Sequence, residues 1–299
     1  EDEAGKKEQA IDVFKKLIFQ DKVIALFGPT LSSSAQAADP VAQAAKIVVF
    51  GTSNTADGIT SIGDYVFRNS VTEADVLPET LRVSAKVAGI KKVAVLYGND
   101  DVFTKSGYDV MKTTLDHLGV NVLGTQTFAR SDRDFNAQLT ALQAQKPDLL
   151  VVSALAENAS AIVAQARQLG WKGPIMGGNG FNSPAFIKNA GPAAEGVLVG
   201  TSWNSASTAP ANVRFKQAMA ARGFTADQFA AQAYTGVLVL AEAIQHAGGK
   251  TSRDDIRAGL TKVKDLDTPL GKFSFNEARD GEHEPAVQIV KNGKFEILQ

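Results

Sequence analysis

Helical and strand-like patterns of hydrophobic residues alternate along the chain. Residues 6–20 carry apolar side chains at helical spacing, which predicts an amphipathic helix. Residues 22–27 (KVIALF) form a short apolar run rich in β-forming residues, the pattern of a buried parallel strand. A predicted helix at 35–45 and a second apolar run at 47–50 (IVVF) follow, so the chain opens as helix, strand, helix, strand.

The alternation continues to about residue 200 and predicts an α/β fold, with parallel sheets covered by helices on both faces. Further strands are predicted at 65–68, 93–97, 120–128, 148–153, 175–176 and 197–200. Further helices are predicted at 73–88, 105–118, 134–145, 158–169, 211–221, 228–247 and 253–260. Segments 271–275, 287–290 and 294–298 predict a hairpin-rich end, with Asn292-Gly293 as a turn.

Two polar turns follow consecutive predicted strands. The first begins with Gly28-Pro29 and continues to the serines at 32–34, where a helix starts. Hydroxyl residues there can cap the helix, and the helix N-terminus attracts anions. The second turn, 51–55 (GTSNT), follows the next strand. Open α/β sheets bind ligands at the carboxyl ends of their strands, so the pair of turns indicates a binding site, although either alone could be an ordinary surface turn.

Length and composition narrow the class of protein. A chain of 299 residues with 44% hydrophobic residues can bury a sizeable core, and this length favours two domains. The net charge of −1, without a basic stripe, argues against nucleic acid as a partner. No apolar run reaches the roughly 18 residues of a spanning helix. Residues 1–20 are charged, unlike a signal peptide, and cysteine is absent.

Residues that could carry catalysis are few. The sequence holds no Gly-x-Ser-x-Gly elbow, Walker loop or dinucleotide glycine fingerprint. His117, His246 and His283 are scattered, with no second ligand at metal spacing. The pair Asp100-Asp101 follows a predicted strand, and a turn or helix-cap role is the preferred interpretation. We therefore expect neither an enzyme nor a bound cofactor or metal.

Several segments resemble, in the same order, the type I periplasmic solute-binding proteins of the leucine/isoleucine/valine-binding group, which feed ABC importers. The most specific is GPIMGGNGFNSPAFIKNAGPAAEGVLVG at 173–200. The segment GPTLSSSAQAADPVAQAAKIVVFGTSNTADGIT at 28–60 resembles the group's serine turn, helix, strand and threonine turn. The others are 65–76, 92–107, 229–244 and 268–296. The resemblance implies two doubly wound parallel-sheet lobes joined by a three-segment hinge, with the ligand trapped as the lobes close.

The resemblance also implies how the chain is divided and where it works. Residues 1–72 and 203–283 would form lobe one, and 73–202 and 284–299 lobe two. We expect a bacterial periplasmic or other extracytoplasmic monomer, with a small-molecule carboxylate ligand and a membrane permease as partners. In the family, a strand–helix–strand unit of roughly 30 or more residues precedes the position of residue 1. Because nothing here supplies that unit, we expect this chain to be a fragment of a longer protein.

The resemblance assigns the carboxylate site by position. Ser32 and Thr55 match the two hydroxyl residues that bind the ligand carboxylate in lobe one. With Ser33 and the backbone N–H groups near Ser53 and Asn54, they would form an anion cradle without a formal charge. This agrees with the two polar turns found from the residues alone.

The remaining site residues bear on the rest of the ligand. Phe229 matches an aromatic wall of the side-chain pocket and Phe103 falls near an aromatic position on the rim of lobe two, although either could be a core residue. Where amino-acid binders usually hold the ligand ammonium with an acidic and an aromatic residue, this chain has Asn179 and Leu155. A buried ammonium without a carboxylate is costly. A hydrophobic or aromatic carboxylate or a keto acid fits better, and a branched-chain amino acid stays open because an amide oxygen can accept from an ammonium.

The leading function is therefore capture of a small carboxylate for an ABC importer. A ligand-sensing ectodomain of the same fold, coupled to a signalling receptor, is the alternative. An enzyme on this fold ranks third.

Overall fold

The computed structural model describes residues 1–298, with all their side chains except those of Val87 and Ala88; residue 299 lies outside the described residues. Contacts divide the chain into two compact units. Unit 1 comprises Glu1–Thr72 and Ser207–Glu284, and unit 2 comprises Glu73–Ala206 and Pro285–Gln299. The chain changes unit after residues 72, 206 and 284, where the sequence predicts 72, 202 and 283.

Helices and strands alternate through most of the chain, in the predicted order. The helices are α1 (Lys7–Lys15), α2 (Ser32–Ala44), α3 (Glu73–Ala88), α4 (Val102–His117), α5 (Asn136–Gln143), α6 (Ala156–Gln168), α7 (Pro184–Ala190), α8 (Pro210–Ala221), α9 (Gln228–His246) and α10 (Arg253–Leu260). The strands are β1 (Ala25–Phe27), β2 (Val48–Gly51), β3 (Val66–Arg68), β4 (Lys92–Gly98), β5 (Asn121–Phe128), β6 (Leu149–Ser153), β7 (Ile175–Gly177), β8 (Leu198–Thr201), β9 (Leu266–Thr268), β10 (Gly271–Phe275), β11 (Gly281–Glu282), β12 (Ala286–Lys291) and β13 (Lys294–Leu298). The structure adds α7, β9 and β11, which the sequence patterns do not predict.

The main sheet of unit 1 has three parallel strands in the order β1-β2-β3. Its register sets Phe27 opposite Phe50 and Gly51 opposite Arg68. Because side chains alternate along a strand, one face buries Val48 and Phe50 against α9 and α10. Helix α2 packs on β2 and β3, and α1 packs on α2. A small antiparallel sheet, β11-β10-β9, completes the described strands of this unit.

Unit 2 is built on a seven-stranded sheet in the order β13-β12-β8-β7-β6-β4-β5. Strands β4 to β8 are parallel, and β12 and β13 extend them in antiparallel pairing. Val93 and Val95 of β4 face α3 and α4 in one buried cluster. Ala94 and Leu96 face α5, α6 and α7 in another. This alternation confirms the prediction of a parallel α/β sheet covered on both faces.

Two predicted elements differ in extent. The strand predicted at 22–27 is reduced to β1. Lys22 adopts φ +55, a left-handed conformation outside the β region, and the Val23 N–H donates to the Leu17 carbonyl oxygen and not to a neighbouring strand. The helix predicted at 6–20 ends as a π-helical turn, Lys16–Gln20. Among the described residues, no helix combines the length and the apolarity needed to cross a bilayer.

Candidate ligand-binding site

The two polar turns of unit 1 follow β1 and β2, which are parallel neighbours, so both lie at one edge of the sheet. Gly28 adopts φ +107, which residues with a Cβ rarely do, and the chain turns into α2. This helix begins at Ser32, and its N-cap residue Leu31 makes no side-chain cap hydrogen bond. The serines therefore do not occupy the N-cap position, which their residue type would suit, because they lie inside the first turn of the helix.

Hydrogen bonds join the two turns. The Oγ of Ser32 accepts the Ala56 N–H at 3.2 Å. The Nδ2 of Asn54 donates to the Pro29 carbonyl oxygen at 2.8 Å. Ser32 and Asn54 are each 1% exposed. Since a serine hydroxyl has a donor as well as two acceptor positions, Ser32 can accept from Ala56 and still donate its own proton to an anion.

The other predicted members of the cradle lie at the same edge. Ser33 is in the first turn of α2, and Ser53 and Thr55 are in the turn after β2; all three are buried. The segments 28–34 and 51–56 contain no charged residue, so an anion there would meet hydroxyl and amide donors. The positive end of the α2 dipole, at the N-terminus of the helix, also attracts an anion. The structure thus groups these residues, while their role in ligand binding stays a prediction.

A buried arginine is hydrogen-bonded to the backbone of the second turn. Arg68 is the last residue of β3, and its Nη1 donates to the carbonyl oxygens of Asn54 at 3.3 Å and Ala56 at 2.7 Å. Its Nε donates to Asp280 Oδ1 at 2.5 Å. The Ser70 Oγ donates to the same Asn54 carbonyl at 2.6 Å. Sequence reasoning missed Arg68, although a charged residue ending an apolar strand (YVFR) was an available signal.

A second buried charge-bearing group, Asp39, lies in α2 and is 1% exposed. Burial raises the pKa of its carboxyl well above the usual range, and the positive charge of Arg68 partly opposes the rise. Its Oδ1 has no hydrogen-bond partner among the described residues. The folded protein therefore favours the neutral acid at this position.

Phe229 is the second residue of α9 and is half-buried. The Nδ2 of Asn69, which directly follows β3, donates to the Gln232 carbonyl oxygen in α9 at 2.7 Å. This bond holds the first turns of α9 beside the end of the unit 1 sheet, which is the edge that carries the two polar turns.

Three predicted residues of unit 2 follow three adjacent strands, β4, β6 and β7. Phe103 is buried in the first turn of α4, where Asp101 caps the helix by accepting the N–H groups of Phe103 at 3.0 Å and Thr104 at 3.2 Å. The helix-cap interpretation of Asp101 is thus confirmed. Leu155 is the N-cap residue of α6, and Asn179 opens a 3-10 turn after β7; both are half-buried.

A close approach brings the Leu155 and Asn179 segments together. A Cβ added to Gly180 would lie 2.0 Å from the Ala154 carbonyl oxygen and 3.4 Å from the Leu155 Cα, so only glycine fits there. Strand β4 is flanked by β5 on one side and by β6 on the other, so the topological switch point of the sheet lies between the carboxyl ends of β4 and β6. Open α/β sheets bind ligands at such points.

Sequence reasoning also missed a buried carboxylate at this edge. Glu73 begins α3 and is 2% exposed. Its Oε2 lies 2.6 Å from the position that a Cβ on Gly178 would take, and 3.8 Å from that on Gly107. Glu73 therefore reaches the chain just after β7, next to Asn179. The helical pattern of 73–88 shows it only as the start of a helix, because the strand it approaches is about 100 residues away in sequence.

The model of a family described as periplasmic binding protein matches residues 1–294, and the chain belongs to this family. The resemblance stated from the sequence is thereby confirmed. The curated relatives of this chain are binding proteins and not enzymes, in agreement with the prediction that the chain is not an enzyme.

Two curated relatives illustrate the group. The Leu/Ile/Val-binding protein BraC3 of Rhizobium johnstonii is 25% identical over 284 residues, covering 93% of this chain and 76% of the relative. The leucine-, isoleucine-, valine-, threonine-, and alanine-binding protein of Pseudomonas aeruginosa is 27% identical over 281 residues, covering 93% of this chain and 74% of the relative.

Solved structures agree with the fold. A leucine binding protein LivK from Thermotoga maritima superposes with a TM-score of 0.95 at 26% identity, covering 100% of this chain and 85% of that chain. A solute binding protein of an ABC transporter from R. palustris, in complex with benzoate, gives a TM-score of 0.91 at 22% identity, covering 100% of this chain and 83% of that chain. At 22% identity, the second likeness supports the fold alone.

Proposed function

We propose that this protein is an extracytoplasmic solute-binding protein that captures a small carboxylate for the membrane permease of an ABC importer. One observation carries the proposal: a hydrogen bond joins Ser32 to the turn around Thr55 at the carboxyl ends of β1 and β2. The buried residues there present neutral donors suited to an anion. The family assignment and the Leu/Ile/Val-binding relatives support this function.

The proposed ligand is a hydrophobic or aromatic carboxylate or a keto acid that needs no ammonium. Neutral Asn179 and apolar Leu155 occupy the positions that the family resemblance assigns to ammonium recognition. Solved structures of the same fold hold benzoate in one case and isoleucine in another. Because isoleucine is a branched-chain amino acid, a ligand of that class is the second candidate.

A thermal-shift screen tests the function and the ligand class together. The panel contains L-leucine, L-isoleucine, 4-methyl-2-oxopentanoate, benzoate and 4-hydroxybenzoate, with L-leucinamide and benzamide as matched ligands that lack the carboxylate. A ligand at 100 times its dissociation constant should stabilise the fold by roughly 2.7 kcal/mol. We expect acids to raise the unfolding temperature and the amides to leave it unchanged. Equal shifts with acid and amide, or no shift with any acid, would contradict a carboxylate-binding function.

The panel also separates the two ligand classes. Tight leucine binding with no measurable binding of 4-methyl-2-oxopentanoate would show that an ammonium is required. Glu73 would then be the first carboxylate to test, by Glu73→Gln, because it is buried next to the chain that leads to Asn179.

A further inference from the structure

We propose that Arg68 is a positioning residue for the anion site: anchored by Asp280, it orients the peptide groups of the second polar turn so that the Thr55 N–H faces the ligand carboxylate. This inference rests on the proposed function and gives Arg68 no contact with the ligand. It acts through the backbone of the turn.

The peptide group around the Asn54 carbonyl is planar. The C=O of one residue and the N–H of the next point in opposite directions across a trans peptide. Arg68 Nη1 and Ser70 Oγ both hold the Asn54 carbonyl oxygen, at 3.3 and 2.6 Å. The Thr55 N–H, which shares that peptide group, therefore points away from Arg68. This is the direction that an anion on the opposite side of the turn requires.

The two following peptide groups are fixed as well. The Ala56 N–H donates to Ser32 Oγ at 3.2 Å, which sets the peptide between residues 55 and 56. The Ala56 carbonyl accepts from Arg68 Nη1 at 2.7 Å, which sets the peptide between residues 56 and 57. Three consecutive peptide groups around Thr55 are thus oriented by side chains, and Arg68 holds the first and the third.

Arg68 can do this because its own position is fixed. Its Nε contacts Asp280 Oδ1 at 2.5 Å, and the Thr60 hydroxyl donates to the same oxygen at 3.1 Å. The guanidinium is a rigid fork, so anchoring Nε also fixes the direction in which Nη1 points. A lysine has a single nitrogen on a flexible stem and cannot keep the same bonds to Asp280 and to both carbonyls.

Unit 2 contains a matched arginine for the control. Arg167 Nη1 donates to the carbonyl oxygens of Trp171 at 2.8 Å and Gly173 at 2.7 Å. It therefore also clamps two backbone carbonyls, but in the segment that leads into β7 and not in a turn that follows a strand. Arg167→Lys removes the same kind of clamp away from the predicted site.

The test compares affinity with stability in four variants of the full chain. Arg68→Lys and Ser70→Ala each remove a bond to the turn, and Arg167→Lys and Ser84→Ala are their controls; Ser84 is a buried serine of α3. Each variant is titrated calorimetrically with 4-methyl-2-oxopentanoate, benzoate and L-leucine, and is unfolded thermally without ligand. We expect Ser70→Ala to weaken binding about 2- to 12-fold and Arg68→Lys about 10-fold or more, with parental affinity in both controls.

Each outcome decides the inference. Parental affinity in folded Arg68→Lys would overturn it. If Arg68→Lys does not fold, parental affinity in Ser70→Ala would overturn it, because the orientation of the Asn54 carbonyl, which both side chains hold, would then not govern binding. If the parent protein binds none of the three probes, the proposed function fails. The inference is then decided by the amide resonances of Thr55 and Asp57 in the ligand-free protein. They should shift in Arg68→Lys and not in Arg167→Lys, and unchanged resonances in Arg68→Lys would refute the positioning role.

Discussion

Removing two hydroxyls, by Ser32→Ala together with Thr55→Val, tests the proposed anion site most directly. The two side chains are 1% and 2% exposed, so water cannot readily replace their donors when they are lost. A hydrogen bond to a charged group contributes roughly 1.5–3 kcal/mol, and part of a loss is recovered by rearrangement around the ligand. We therefore expect the double variant to bind carboxylates about 1–3 kcal/mol more weakly, which raises the dissociation constant roughly 5- to 150-fold.

The same variant should also lose stability, for a separate reason. Ser32 Oγ accepts the Ala56 N–H at 3.2 Å, so Ser32→Ala leaves that buried donor without its acceptor. An unsatisfied buried donor costs roughly 1–3 kcal/mol of folding free energy. Thr55→Val keeps the shape of the side chain and removes only the hydroxyl. Affinity must therefore be measured well below the unfolding temperature of the double variant.

The assay is a calorimetric titration with the carboxylate that binds most tightly in the thermal-shift screen. Thr235→Val is the matched control, because Thr235 is buried in α9 of the same unit and its Oγ1 has no hydrogen-bond partner among the described residues. The control should bind as the parent does. Unchanged affinity in the folded double variant would refute the assignment of the anion to these two turns.

Three further predictions concern other positions. Asn179→Asp should raise affinity for L-leucine relative to 4-methyl-2-oxopentanoate, since it restores a carboxylate for an ammonium; unchanged relative affinity in parallel titrations would contradict the assignment of Asn179. Asp39→Asn should become more stable relative to the parent as pH rises above about 4, the ordinary pKa of an aspartate, by up to about 1.4 kcal/mol per pH unit. The parent loses stability there because burial raises the pKa of Asp39 in the folded state, so the unfolded chain loses this proton first. A difference in unfolding free energy that does not vary with pH would show the carboxyl to be unperturbed. Gly180→Ala should destabilise the fold by roughly 1–3 kcal/mol in denaturant unfolding, because the new Cβ would collide with the Ala154 carbonyl oxygen, and parental stability would show that this approach is looser than the structure has it.

Local patterns in the sequence determine much of this protein. Apolar runs of strand length and helical repeats predict the order of the elements except α7, β9 and β11, because burial requires a period of two in strands and of about 3.6 in helices. The polar turns at 28–34 and 51–55 can also be predicted from the sequence, since they interrupt those patterns directly after two strands. The family resemblance then adds the prediction that Ser32 and Thr55 bind the ligand carboxylate.

Details that depend on local backbone conformation were less predictable. The serines at 32–34 are of a residue type that can cap α2, but the helix begins at Ser32 and its extended N-cap residue is Leu31. A shift of one residue moves the hydroxyls from the cap position into the first turn, and the Ser32 Oγ there accepts the Ala56 N–H instead. Helix boundaries depend on such single-residue choices, and a sequence pattern does not fix them.

Tertiary structure alone decided the contacts that shape the candidate site. Ser32 and Ala56 are separated by 24 residues and meet because they follow the paired strands β1 and β2. Arg68 and Asp280 are separated by 212 residues and meet because the loop between β10 and β11 lies against the end of β3, where the Arg68 N–H donates to the Arg279 carbonyl oxygen. In unit 2, Gly180 reaches Ala154 because β6 and β7 are neighbours. Hydrogen bonds between distant residues depend on which strands pair and in what register. No local pattern encodes them, so Arg68 and Glu73 are recognised as neighbours of the candidate site only in the folded chain.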